Sequence, residues 1–507
     1  EELIRGNFLY VDKTEYIWEL IRPSCAGYFL SRPRRFGKSL TVSTLKAIFE
    51  GKKELFQGLA IYDKPYDWKT YPVIHLSFGD YTPLNNTAER LDIYLHEKIK
   101  SLAAEFAIEL SMTQDASSAF GKLIDCLSVN GEVVILVDEY DKPLLQALHN
   151  ASLLETYRDM LKAFYGVLKS NDRYLRFVFL TGVTNFSHVS VFSDLNQLND
   201  ISMDYDFATI CGITHKELLA TFAPEIEQLA KVNGQTTDEA ISQMTRQYDG
   251  YHFHPYAEGM YNPFSVLSAF FKKEYGNYWF QTGTPTFLVQ LLKESDYDLR
   301  TLMDGVEAST AAFSEYRVDD VKNPIPLIYQ SGYLTIKEFD KEFKLYKLGF
   351  PNDEVRYGLL NFLIPYYTPI TDDERNFYIG KFVQELRKGE TDAFMSRLQA
   401  FFADFPYELN DKTERHYQVV LYLVFKLMGQ FTQAEIHSAR GRADAIVRTP
   451  NFIYVFEFKL NGTAEDALKQ IEDKGYATPF QADGREVMKV GVEFSAAERN
   501  ISRWLVE

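Results

Sequence analysis

Five consecutive apolar residues, Val133 to Val137, run directly into Asp138 and Glu139. An unbroken apolar run of strand length, without polar alternation, suits a strand buried on both faces. "YPVIHLSFGDY" and "YLRFVFLTGVTNFS" read the same way, as does Tyr28–Ser31 near the start of the chain. Helical patterns lie between these strands. Leu40, Leu45, Ile48 and Phe49 recur at helical spacing until Gly51, and residues 87–128 look mostly helical. Apolar strands alternating with helices predict an α/β fold with a parallel sheet covered on both sides.

The loop after the first strand reads "SRPRRFGKSL". It ends like the phosphate-binding pattern G-x-x-x-x-G-K-[ST], except that Arg32 stands where the first glycine belongs. Gly37 permits close backbone approach, Lys38 can reach β- and γ-phosphates, and the Ser39 hydroxyl can bind Mg²⁺. The three residues GKS alone are a weak signal. Their combination with a buried strand ending in Asp138–Glu139, roughly 100 residues later, is much stronger. Asp138 would hold Mg²⁺ through water and Glu139 would polarise an attacking water. Thr181 and Thr184, at the end of the third strand, are candidates for sensing a γ-phosphate or are plain strand caps. Arg32, Arg34 and Arg35 would add positive charge beside a polyphosphate.

Beyond residue 210 the strand signal fades and helices dominate. A hairpin turning near Asp340–Lys341, between helices, suits a winged-helix-like unit. The last block, "GRADAIVRTPNFIYVFEFKL", reads as a second hairpin, followed by a helix around Ala464–Tyr476 and a strand near 487–494. Glu457 and Lys459 share one strand face because side chains alternate with period two. If Arg448 pairs with Ile453, Asp444 falls opposite Glu457. Two carboxylates would bind Mg²⁺ through hard oxygens, and Lys459 would stabilise charge on phosphorus. The alternative is an ordinary salt-bridged hairpin, although charges in so apolar a strand need a reason. His252 and His254 lack a third metal ligand and read as a packed or solvated pair.

"YVDKT", "RPRRFGKSL", "ILVDEYDKPL" and "LTGVT" together resemble a bacterial family of AAA-ATPase-like proteins with a C-terminal PD-(D/E)XK nuclease-like domain. The resemblance spans essentially the whole chain. It implies a P-loop NTPase parallel sheet, a helical and winged-helix-like region, and an α/β PD-(D/E)XK nuclease-like domain. Boundaries fall at 1–210, 211–370 and 371–507. The nucleotide set is then Arg34, Arg35, Phe36, Gly37, Lys38, Ser39, Leu40 and Asp138. The catalytic set is Glu139, Asp444, Glu457 and Lys459, and the metal set is Ser39, Asp138, Asp444 and Glu457. Gln470 matches a further family position. An upstream helix often supplies another glutamate, for which Glu414 and Glu435 are candidates. Arg173 and Arg176 are candidates for an arginine that completes a neighbouring copy's site.

Composition sets limits on this reading. The 507 residues predict several domains, and 46% hydrophobic with 15% aromatic content supplies packed cores rather than disorder. A net charge of −17 draws the protein neither to nucleic acid nor to anionic membrane by its overall field. Three widely spaced cysteines give no disulfide framework and no metal-ligand pair, which suits a reducing cytoplasm. No apolar run is long enough to span a membrane. Beginning on Glu1, the sequence reads as starting inside a longer product. The expectation is an enzyme that uses ATP and Mg²⁺ to gate cleavage of nucleic acid, DNA ahead of RNA, and that assembles with further copies of itself. The rival expectation is an ATP-dependent binding switch whose nuclease-like domain is inactive and only holds a partner.

Overall fold

A computed structural model describes residues 1–23, 26–110, 115–148, 150–185, 198–282, 292, 299–314, 323–367, 372–403, 414–429, 431–436, 443–460, 462–495, 498 and 500–507. The chain divides into two compact units. One comprises Glu1–Tyr297 with Gly305–Val355, the other Asp298–Asp304 with Arg356–Glu507.

The first unit is built on five parallel strands: β1 (Ala26–Ser31), β2 (Val73–Ser77), β3 (Val133–Asp138), β4 (Leu175–Gly182) and β5 (Leu198–Asp200), in the order β2-β3-β4-β1-β5. Every residue of β3 and β4 is buried, as the uninterrupted apolar runs require. One face packs on the helices Ala88–Glu105, Ala116–Ser128 and Ala151–Ser170, the other on Thr14–Ile21 and Lys38–Phe49. Because all five strands run the same way, the C-terminal ends of β1, β3 and β4 meet along one edge, where ligands of open α/β sheets collect.

Helices follow, as the fading strand pattern predicts. His215–Thr221 and Thr237–Tyr248 each start in a capping box, Thr214 with Glu217 and Thr236 with Glu239. Two short strands, β6 (Ile213–Thr214) and β7 (Met260–Tyr261), pair across this region. Then β8 (Val306–Ser309), β9 (Thr335–Asp340) and β10 (Leu345–Gly349) form an antiparallel sheet ordered β8-β10-β9. With the helix Ile325–Gln330 leading into the β9–β10 hairpin, this is a winged-helix-like arrangement.

The second unit carries β11 (Gln433–Ile436), β12 (Ala445–Arg448), β13 (Phe452–Lys459), β14 (Glu486–Ser495) and β15 (Asn500–Val506), in sequential order. Only β13 and β14 are parallel, and the helix Ala464–Asp473 makes the crossover between them. That helix buries Leu468 and Ile471 against Ile446, Ile453 and Val455. On the other face Phe456 meets Phe394 and Phe425 with ring centroids 5.7 and 5.2 Å apart.

Within the first unit, Glu354 is fully buried and accepts from Ser265 Oγ at 2.7 Å and from the Trp279 amide at 2.7 Å. The Trp279 indole in turn donates to the Arg34 carbonyl at 3.0 Å. Burial pushes the Glu354 carboxyl up to about 7, while its hydrogen bonds act in the opposite direction. A carboxyl whose folded pKa is raised holds its proton more tightly than the unfolded chain does. The resulting stabilisation is complete below the ordinary value of 4.5 and is lost as pH rises through about 7. It amounts to something on the order of 3 kcal/mol. Thermal unfolding of Glu354→Gln, which stays neutral, should show a shallower fall in midpoint between about pH 5 and pH 8 than wild type. Identical slopes would remove the buried-acid assignment.

Candidate functional site

The loop Arg32–Gly37 joins β1 to the helix Lys38–Phe49. Without the usual first glycine, it takes its reversals elsewhere, with Arg35 at φ 63° and Gly37 at φ 99°. A left-handed residue costs an ordinary side chain energy and glycine none, so Gly37 sits where the pattern needs it. The backbone amides of residues 34–40 have no hydrogen-bond partner among the described residues. Together they form a concave set of donors at a helix N-terminus, the physical basis of phosphate binding.

Lys38 points back under this loop. Its ammonium is buried and donates to the carbonyls of Arg32 and Pro33, each at 2.9 Å. Burial pulls its pKa down, while Asp141, then Asp138 and Glu139 among others, oppose that. Ser39 and Leu40 are exposed at the helix start. The sequence places Asp138 at the end of β3, and there it is buried with Oδ1 lacking a partner among the described residues. An orphaned carboxylate oxygen facing a buried ammonium fits a divalent cation held with Ser39. Glu139 follows at φ 54°, a strained position for a residue with a side chain.

Several sequence expectations meet a different geometry. Arg32 does not stand beside a polyphosphate. It is 1% exposed, and its guanidinium donates to the carbonyls of Ser31 (2.8 Å), Ser202 (2.7 Å) and Phe207 (3.1 Å). The Phe36 ring is buried edge-on to Tyr251 and Phe253, at 4.7 and 5.4 Å, so only its backbone can face a phosphate. Arg34 and Arg35 remain exposed, Arg35 over the Phe264 ring at 5.2 Å. Thr181 Oγ1 donates to the Leu30 carbonyl at 2.8 Å and Thr184 Oγ1 to Asp141 at 2.5 Å, so both hydroxyls are already engaged by protein groups. Arg176 is buried, donating to the carbonyls of Ile21 and Pro23 at 2.9 Å each, which excludes it from reaching another copy. Arg173 is exposed.

Two features escape the sequence patterns. Asp141 is fully buried and accepts from the amides of Val183 and Thr184 at 3.0 and 2.7 Å, which ties the end of β3 to the end of β4. Gly182 makes room for it, since a Cβ there would lie 2.5 Å from Asp141 Oδ1. The "YVDKT" segment supplies a wall. Lys13 donates to the Thr209 carbonyl at 2.8 Å and pairs with Glu217 at 2.7 Å, so Tyr10 and Val11 lie beside the loop. A mainly apolar cavity of about 160 Å³ results, lined by Tyr10, Val11, Gly37, Thr41, Ile213 and Leu267.

The second site lies on β12 and β13. Arg448 pairs with Ile453 and Ala445 with Phe456, which is the register expected from the sequence and sets Asp444 level with Glu457. Asp444 Oδ2 accepts from the Phe458 amide at 2.8 Å. Glu457 is 2% exposed, with Oε1 taken by Lys459 Nζ at 3.0 Å and by the Gln470 amide, and with Oε2 unpartnered among the described residues. Lys459 also reaches Gln470 Oε1 at 2.5 Å. Burial raises the pKa of both carboxyls, the neighbouring Asp444 adds to that of Glu457, and Lys459 lowers both. Two close carboxylates with a free buried oxygen fit a hard cation, which would remove their mutual repulsion. No group of three or more His, Cys, Asp or Glu able to hold a metal occurs among the described residues. The side chains of Glu414 and Glu435 lie outside those described. His252 and His254 are packed: His252 Nδ1 meets the Ala257 carbonyl at 3.1 Å, and the His254 ring sits 5.4 Å from Tyr205 and 5.5 Å from Tyr256.

Comparison with known proteins agrees with this division. A family described as "Predicted AAA-ATPase" matches residues 1–192, and the PD-(D/E)XK nuclease superfamily matches residues 412–504. An uncharacterized protein encoded in the vnfD 5' region of Azotobacter chroococcum is 36% identical over 514 residues, covering 99% of this chain and 96% of that protein. The structure of the Aeropyrum pernix ORC1 protein in complex with DNA aligns with 68% of this chain and 91% of its own at 13% identity, but its TM-score of 0.26 carries nothing across. With a P-loop-like sheet in one unit and the Asp444–Glu457–Lys459 sheet in the other, the chain belongs to the family of this Azotobacter relative, carrying a predicted AAA-ATPase domain at residues 1–192 and a PD-(D/E)XK nuclease superfamily domain at residues 412–504.

Proposed function

We propose that the first unit binds and hydrolyses ATP, and that its nucleotide state gates cleavage of a nucleic-acid phosphodiester, DNA ahead of RNA, by the second. The observation that carries this reading is the run of unpartnered amides from 34 to 40 around a buried lysine, beside an orphaned Asp138 oxygen. In this reading the amides and Lys38 receive the phosphates, and the ammonium exchanges the carbonyls of Arg32 and Pro33 for phosphate oxygens. The apolar cavity beside Tyr10 receives the base. Ser39 and Asp138 hold Mg²⁺, which neutralises phosphate charge when bound. Glu139 orients and polarises the water. An arginine from a second copy would complete the site, and exposed Arg173 is the remaining candidate. In the second unit Asp444 and Glu457 hold a cation, Lys459 steadies charge on phosphorus, and Gln470 keeps both Glu457 and Lys459 in place. The domain boundaries at 1–210, 211–370 and 371–507 belong to the same reading, as does action in the cytoplasm. No helix among the described residues is long and apolar enough to cross a membrane.

One observation favours the rival switch, in which the nuclease-like domain only binds. Lys459 is occupied on both sides, by Glu457 and Gln470, and only two carboxylates converge among the described residues. Mutants separate the two readings. Lys38→Ala should abolish ATP binding measured by calorimetry, with the fold intact by circular dichroism. Glu139→Gln should retain binding and lower ATP turnover by about 10²–10⁴-fold. Unchanged affinity in folded Lys38→Ala would sink the nucleotide site.

Asp444→Asn removes a charged ligand oxygen from the second site and nothing from the first. Cleavage of DNA with Mg²⁺ or Mn²⁺ should fall at least a hundredfold, while ATP turnover without DNA stays at the wild-type rate. If wild type cleaves neither DNA nor RNA, with or without ATP, the switch is the correct reading.

A further inference from the structure

A planar trans peptide carries its C=O and its N–H on opposite sides, so whatever holds the carbonyl of one residue also aims the amide of the next. In the phosphate loop two carbonyls are held by groups from far along the chain. The Gly212 amide donates to the Phe36 carbonyl at 3.0 Å, and the Trp279 indole Nε1 donates to the Arg34 carbonyl at 3.0 Å. The first aims the Gly37 amide and the second the Arg35 amide, and neither amide has a partner among the described residues. Of the two, Arg35 depends more on being held. Its φ of 63° is left-handed, a conformation that costs a residue with a side chain energy and persists where the surroundings impose it. Glycine at 37 has no such cost.

Trp279 is itself fixed from several sides. It is 5% exposed. Its amide is held by Glu354 at 2.7 Å, and the second Glu354 oxygen takes the Ser265 hydroxyl at 2.7 Å, so the backbone under the indole is anchored. The ring lies edge-on to Tyr333 with centroids 5.3 Å apart. Gly332 lets the chain close in on ring and loop together, since a Cβ there would lie 2.7 Å from Pro33 Cβ and 3.3 Å from Trp279 Cζ2. An indole has a single donor, and here that donor is spent on the loop. A donor whose ring and backbone are both locked holds its acceptor with little further loss of freedom.

We infer that Trp279 is a positioning residue of the phosphate loop, holding the Arg34 carbonyl outward so that the Arg35 amide faces the terminal phosphate of the nucleotide. This inference rests on the ATP reading of the loop. In that reading the slot beside Tyr10 takes the base. The slot touches the loop at Phe36 and Gly37 and the following helix at Leu40 and Thr41, but neither Arg34 nor Arg35 lines it. Phosphates running from the slot across the loop therefore reach Arg35 last. Loss of the indole N–H is felt by a nucleoside triphosphate and much less by a diphosphate.

Trp279→Phe keeps an aromatic ring near Tyr333 and deletes the N–H. Calorimetry on the full chain with Mg²⁺ would compare a non-hydrolysable ATP analogue with ADP. The variant should bind the analogue about tenfold more weakly, the scale of one lost hydrogen bond, and ADP within about twofold of wild type. A residue that only packs would move both affinities together, or would lower the unfolding midpoint and change neither. An unchanged ratio of the two affinities overturns the inference. Should Trp279→Phe fail to fold, the wild-type chain carrying 5-fluorotryptophan gives a second measurement. Its four tryptophans give four ¹⁹F signals, and Trp18→Phe, Trp68→Phe and Trp504→Phe assign that of Trp279 by elimination. The Trp279 signal should move further with the ATP analogue than with ADP, and equal movement, or none, overturns the inference. Wild type that binds neither nucleotide fails the ATP reading, and this inference with it. Wild type that binds both, while the variant keeps their ratio, fails this inference alone.

Discussion

A buried ammonium and a buried carboxylate lie beneath the phosphate loop, and the ends of three strands are arranged around them. Lys38 rests on two carbonyls of its own loop. Asp141 rests on the amides and hydroxyl that follow β4. Each would cost several kcal/mol to bury alone. Burial lowers the lysine pKa and raises that of the aspartate, and each opposes the effect on the other. The two groups lie where β1, β3 and β4 end and Asp138 emerges, on strands already held by their own backbone ladder. The lysine is held in reserve, satisfied by groups that can be exchanged without breaking a sheet hydrogen bond.

The parallel sheet was legible because it is written in uninterrupted apolar runs, and the Asp444–Glu457 pairing because a short turn leaves the hairpin little freedom of register. What stayed hidden depends on segments far apart in sequence. Arg32 looks like loop charge until residues 202–208, some 170 positions later, supply the carbonyls that bury it. The last residue of "DEYD", Asp141, reads as part of an acidic turn, and only the return of β4 shows it to be an interior group. Glu354 carries no local mark, since nothing near it predicts that Trp279 and Ser265 will close over it. Strands β5, β11 and β15 were missed for simpler reasons. The first two are three and four residues long, and β15, NISRWLV, does not alternate regularly.

The two chemical sites have opposite electrostatic character. In the first unit a cation is buried beneath a set of unpartnered amides, the arrangement that the proposed phosphate site uses. In the second, two carboxyls whose pKa values are raised by burial share one lysine, the arrangement that the proposed cation site uses. A chain with net charge −17 can tolerate both because each is local and partly shielded from the overall field.

Arg32 has a consequence for how such a loop can change over evolutionary time. In the common pattern the first glycine provides a turn, and replacing it is a loss. Here the reversals fall at Arg35 and Gly37, and the side chain at 32 is part of the floor, stacked on Phe253 at 4.1 Å and tied to the carbonyls of Ser202 and Phe207. Restoring glycine would bring back the consensus spelling while removing that floor. A change at 32 is therefore answered by packing rather than by contact with nucleotide: glycine there would trade a consensus letter for an empty space under the loop.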